Sequence, residues 1–106
     1  MTRHIEIAGA SGQRYRYTVM EEERFVPPAG ANFLIAQVSG NAASILFAGE
    51  TDNLSRATWR EPLAQAKSIY GEADVLTRLN VTSAIRRAEQ QDVIQAYQPP
   101  MNAAAS

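Results

Sequence analysis

The sequence predicts an α+β domain: a small mixed β-sheet flanked by about three helices, with an extra β-hairpin at the N-terminal side. Three observations carry that expectation. Apolar and β-branched residues fall in short alternating or continuous runs, twice paired around a glycine-containing turn. Helical spacing with start and stop signals begins only after Gly49. The chain has 106 residues, 45% of them apolar and 20% charged, which suits one soluble core and not two.

Each element has its own signal. Arg3 to Ala8 alternates through Ile5 and Ile7, Gly9 to Gly12 is a turn, and Arg14 to Met20 is rich in β-formers. Together they read as a hairpin. Glu21, Glu22 and Glu23 read as a solvated face, and Pro27, Pro28 and Gly30 then interrupt the chain. Asn32 to Val38 and Ser44 to Ala48 are apolar enough for central strands, joined through Gly40, with Gly49 closing the second. Thr51 or Asp52 is placed to N-cap a helix carrying Leu54, Ala57 and Trp59. Pro62 ends that helix or opens the next, which runs from Leu63 to Tyr70 and stops at Gly71. Val75 to Leu79 alternates as a strand, and Thr82 precedes a helix over Ser83 to Tyr97 that Pro99 and Pro100 end. The expected organisation is a hairpin extension over 1–27, a main domain over 28–102 and a disordered tail over 103–106.

Composition narrows the chemistry. The absence of cysteine excludes disulfides and thiolate sites, and His4 as sole histidine excludes a histidine-built metal site. No apolar run approaches the ~18–20 residues of a membrane span, and no signal-peptide core follows Met1, so a cytoplasmic location is expected. A net charge of −1 and pI near 5.8 argue against strong nonspecific nucleic-acid binding. Nine of the ten basic residues are arginine, the better fork for phosphate or carboxylate.

The stretch from Ile45 to Ala57 passes from an apolar strand through Gly49 into polar residues, a shape shared with phosphate-holding loops. It lacks the lysine and second glycine of a P-loop and the three glycines of a dinucleotide fingerprint. Farther along, at about 100° per residue, Ile85, Val93, Ala96 and Tyr97 form an apolar stripe with Glu89 near its centre. Arg86, Arg87 and Gln90 fall outside that stripe or at its edge, and Asp92 at its near margin. A carboxylate there is costly unless paired or used. Either it pairs with an arginine such as Arg56, Arg60 or Arg78, or it serves metal binding or acid–base work.

Taken together, these features resemble the GIY-YIG nuclease family. Gly30-Ala31-Asn32 is similar to the first motif, Phe47-Ala48-Gly49 to the second, and Thr51-Asp52-Asn53-Leu54 to the residues that follow. Glu89 matches the helix glutamate and Pro99-Pro100-Met101-Asn102 the closing asparagine, so Gly30, Gly49, Asn53 and Asn102 are the motif residues carried over. The resemblance implies a metal-dependent phosphodiesterase with Mg²⁺ on Glu89. The family's tyrosine positions are Asn32 (Phe33 if the register shifts by one) and Phe47, and its arginine position is Ala57. Arg60 is the candidate substitute, so Glu89, Phe47, Asn32 and Arg60 are the candidate catalytic set, a degenerate one.

Losing one acid–base group removes ~10²–10⁴-fold of rate assistance. The expectation is therefore a GIY-YIG-like domain with little or no catalysis that binds nucleic acid or phosphate through Arg56, Arg60, Arg86 and Arg87. One alternative is an active, divergent DNA endonuclease that uses Glu89. Another is an interaction module that homodimerises through the N-terminal hairpin, with Tyr15 and Tyr17 exposed; structural packing of both rings is the commoner outcome. Trp59 is expected in the core and His4 on an exposed strand position.

Overall fold

A computed structural model describes residues 3–21 and 26–104. Glu22 and Glu23 of the acidic run, Met1 and Thr2 of the hairpin segment, and residues 105–106 of the expected tail lie outside the described residues. The fold is α+β, as the sequence predicts. Its strands are β1 (His4–Ala8), β2 (Arg14–Val19), β3 (Ala31–Ser39), β4 (Ala42–Thr51) and β5 (Asp74–Leu79). Its helices are α1 (Arg60–Tyr70), α2 (Ser83–Tyr97) and α3 (Pro100–Ala104), with a 3₁₀ turn at Leu54–Arg56. The strands form one sheet in the order β1-β2-β5-β3-β4, and every ladder is antiparallel.

The N-terminal hairpin is thus no separate extension. Its second strand pairs with β5, and Ile5, Ile7, Tyr15, Tyr17 and Val19 share a core with Leu34, Leu76 and Val93 of α2. On the opposite side, Phe33, Ile35, Leu46 and Val75 pack with Leu54, Trp59, Ala66 and Met101. Trp59 is buried, as expected, and His4 is exposed. Residues 31–36 of β3 are buried throughout because this central strand has sheet neighbours on both sides and cores on both faces.

Several boundaries differ from the sequence expectation for physical reasons. β4 does not close at Gly49 but runs through it to Thr51. Gly49 lies opposite Phe33, and a Cβ there would strike the Phe33 ring, so the glycine makes room inside a strand. A register shift pairs Ile35 with Phe47 and Ala36 with Ile45, leaving Leu46 as a bulge. Leu46 and Phe47 consequently pack toward the same core despite being consecutive.

The helix expected from Thr51 or Asp52 is only the 3₁₀ turn. Asn53 caps it by accepting from the Ser55 amide at 3.0 Å, and Ala57 ends it with φ of 55°. α1 then starts at Arg60, with Pro62 in its first turn, where a missing N–H costs nothing. α2 matches the predicted span but is rotated from the predicted face. Arg86 and Val93 are its buried residues, and Ile85 is 50% exposed. Helical spacing sorts residues by polarity, whereas the most buried polar group on α2 is an arginine. Gln98 in the left-handed region, followed by buried Pro99, ends α2. The expected tail over 103–106 is corrected in part, since Ala103 and Ala104 continue α3.

Candidate functional site

The bulge and the rotated helix together create an open cleft of about 460 Å³ between β4, the start of α1 and α2. Phe33, Phe47, Gly49, Glu50, Arg86, Arg87 and Gln90 line it, with Thr51, Asp52, Thr58 and Pro62 at its margin. Phe33 and Phe47 present an aromatic wall, ring centroids 6.0 Å apart. The floor is an ion pair: Arg86 Nε donates to Glu50 Oε2 at 2.9 Å, with side chains 6% and 22% exposed. Arg86 Nη1 also donates to the carbonyls of Val81 (2.7 Å) and Asn80 (3.1 Å), so this guanidinium ties the end of β5 to the start of α2. A Cβ on Gly30 would run into that guanidinium, which explains the glycine there.

Asn32 is fully buried beneath this junction. Its Nδ2 donates to the Arg86 carbonyl at 2.9 Å, and its Oδ1 accepts from Asn80 Nδ2 at 3.0 Å. Those bonds occupy the amide as a scaffold element. Asn102 reaches back from α3 to the edge of β4. The Ala48 amide donates to Asn102 Oδ1 at 2.7 Å, and Asn102 Nδ2 donates to the Ala48 carbonyl at 3.0 Å. Gln90 Nε2 adds a third bond, to the same carbonyl, at 3.2 Å.

Glu89 sits on a different side of α2. Its Oε1 accepts from Arg78 Nε at 2.9 Å, with side chains 12% and 32% exposed, so of the three arginines considered Arg78 is the partner. The Arg78 guanidinium also lies 5.5 Å from the Tyr15 ring centre. Glu89 lines a separate hollow of about 510 Å³ with Ser11, Tyr15, Ile85 and Asp92. The structure therefore does not bring Glu89, Phe47, Asn32 and Arg60 together: Phe47 lines the cleft, Asn32 lies under it, and Glu89 faces the hairpin. Arg60 packs over the Trp59 ring at 5.6 Å and is not among the cleft-lining residues.

The four basic residues also divide. Arg56 pairs with Asp52 at 3.8 Å on the surface, and Arg86 is committed to the floor. Arg87 is exposed on the cleft wall, with no ion pair or hydrogen bond among the described residues. A divalent cation at Glu89 would have to displace Arg78. Among the described residues no three acidic or imidazole groups come close enough to hold a metal. As paired with Arg78, Glu89 presents no open carboxylate to Mg²⁺.

Tyr15 and Tyr17, expected to be exposed in the dimerisation reading, are buried at 5% and 1% exposure. The Tyr15 hydroxyl donates to Asp92 Oδ2 at 2.6 Å, and Ser11 donates through its amide (2.8 Å) and hydroxyl (2.7 Å) to the same carboxylate. The Tyr15 and Ser11 hydrogen bonds hold the Asp92 carboxyl below its usual range. Burial, then the Asp92 bond, raises the Tyr15 phenol, and burial followed by the Glu89 charge raises Tyr17. Sequence reasoning missed Asp92 as the anchor of the hairpin, Glu50 as the partner of Arg86, and Gln90 as a cleft residue. The signal available was Gly9, where a side chain would collide with the Asp92 carboxylate.

No protein family, curated protein or solved structure matches the chain in the comparisons made. Among the described residues, no helix is long and apolar enough to cross a membrane.

Proposed function

We propose that this chain is a GIY-YIG-like domain that binds a phosphodiester in the cleft between β4 and α2 and does not cut it. One observation carries the reading: the helix carboxylate is tied to Arg78 outside the cleft, while the cleft presents the half-buried Phe47, Gln90 and an Arg87 whose side chain has no ion pair or hydrogen bond among the described residues. The Phe47 ring can stack on a base but supplies no hydroxyl to orient water. A carboxamide at Gln90 offers no charge to hold a cation. Arg87 supplies one positive fork for a phosphate.

The order of elements supports the resemblance. Gly30 leads into β3, which carries Ala31 and Asn32, the antiparallel β4 carries Phe47-Ala48-Gly49, a helix follows, and α2 and Asn102 come after the next strand. Both motif glycines have steric reasons to be glycine. With one free cation on the wall among the described residues, binding is expected to be weak and salt-sensitive.

Fluorescence anisotropy with a labelled single-stranded oligonucleotide tests this. Binding at low ionic strength should fall as salt rises and weaken further in Arg87→Ala. No binding at low salt removes the nucleic-acid reading. Plasmid nicking with Mg²⁺ should stay at background; nicking that Glu89→Ala abolishes would establish the active-nuclease alternative instead.

A further inference from the structure

We propose a second binding site, on the sheet face that α1 and α3 leave uncovered, for a phosphate monoester of about nucleotide size. Its basis is a notch where two strands part. Among the described residues, the β2–β5 ladder consists of Val19↔Leu76 and Thr18↔Thr77, and beyond Thr77 β5 continues pairing with β3 alone.

Alternation in the antiparallel ladders fixes what the notch presents. The Met20 amide bonds to the Val75 carbonyl at 2.8 Å, so the pairs facing each other across β2 and β5 recur at every second residue. The next such pair past Thr18 and Thr77 is Arg16 and Leu79, where the ladder has ended. The N–H and C=O groups of Arg16 and Leu79 therefore point into the notch without each other, two amides available to oxyanions.

The side chains agree with this. The notch opens into a groove of about 480 Å³ whose polar lining includes His4, Arg16, Thr18 and Thr77. The His4 ring nitrogen lies 3.2 Å from the Thr18 hydroxyl. Among the described residues, no carboxylate lines the groove. Glu6, opposite Arg16 in the β1–β2 register, lies 4.0 Å from Arg14 instead. Arg16 is exposed and has no ion pair or hydrogen bond from its side chain among the described residues. A fork-shaped cation, two hydroxyls and two backbone donors suit the three terminal oxygens of a monoester. Arg78, paired with Glu89, also lines the groove, and Pro27, Leu54 and Leu79 add apolar surface for the body of the ligand. The volume falls within the range of small-molecule pockets.

The inference is independent of the cleft, and the test separates the two. Amide chemical shifts of the ¹⁵N-labelled protein are followed during titration with AMP, adenosine and inorganic phosphate. AMP should move the Arg16 and Leu79 amides most, bind more tightly than either fragment, and bind about 10- to 100-fold more weakly in Arg16→Ala. Arg16 is exposed, so that variant should keep the wild-type spectrum elsewhere. Thr77→Val gives a second, milder loss. Shifts centred on Arg87 and Gln90, or affinity unchanged in Arg16→Ala, would place the ligand in the cleft and overturn the proposal. The absence of any shift at millimolar AMP would overturn it as well. Inorganic phosphate binding as tightly as AMP would refute the apolar half of the site.

Discussion

Glu89 illustrates how one carboxylate can be correctly singled out and its task left open by sequence. Helical spacing showed that it faces protein, and elementary electrostatics required a partner or a use. Which of several arginines answers it depends on a strand-to-helix distance that no spacing rule contains. Glu89→Gln should lower stability by about 1–3 kcal/mol, because Arg78 keeps a half-buried charge with no counter-ion. Urea denaturation reads that loss, and Arg78→Met in the same background should recover part of it. Asp92 makes a pH-dependent counterpart. Its carboxyl titrates lower in the folded chain than in the unfolded one, so its stabilisation is complete above the unfolded value. That stabilisation is lost as pH falls below about 4 through the folded value. Wild type and Asp92→Asn should therefore differ most near neutrality and converge in acid, as measured by denaturation at successive pH values.

At the level of elements, strands were more legible than turns. Runs such as NFLIAQV and SILFA carry their own pattern, and both hairpins formed where glycine and polar residues interrupt such runs. The helix expected after Gly49 shrank to one 3₁₀ turn because Ala57 takes a left-handed conformation there, a choice made by tertiary packing around Leu54 and Trp59. The face of α2 was misread for a related reason: Arg86 lies in the middle of the buried side, held by Glu50 and two carbonyls. Hydrophobic periodicity carries no record of such a cluster. Gln98, exposed and at φ of 44°, ends α2 in a conformation that glycine adopts more easily. Gln98→Gly should raise stability by about 0.5–1 kcal/mol, visible as a higher midpoint in thermal unfolding.

The whole molecule is a curled sheet with α2 on one side and α1, the 3₁₀ turn and α3 on the other. That arrangement decides which candidate residues meet. The aromatic wall and Arg87 converge because the bulge and α2 share one end of the sheet, whereas Glu89 is carried round to the hairpin. Sequence could name the participants and not the grouping, since grouping depends on a helix rotation set by Arg86. The Asn102 clasp binds α3 to β4 across 54 residues of chain. Asn102→Ala should accelerate hydrogen exchange at the Ala48 amide and leave β1 and β2 protected. Proteolytic clipping before Pro99 removes the clasp outright. Clipped chains then leave the Ala48 amide as an unpaired donor on the edge of β4, a point at which a neighbouring molecule can be recruited into fibrous or amorphous deposits.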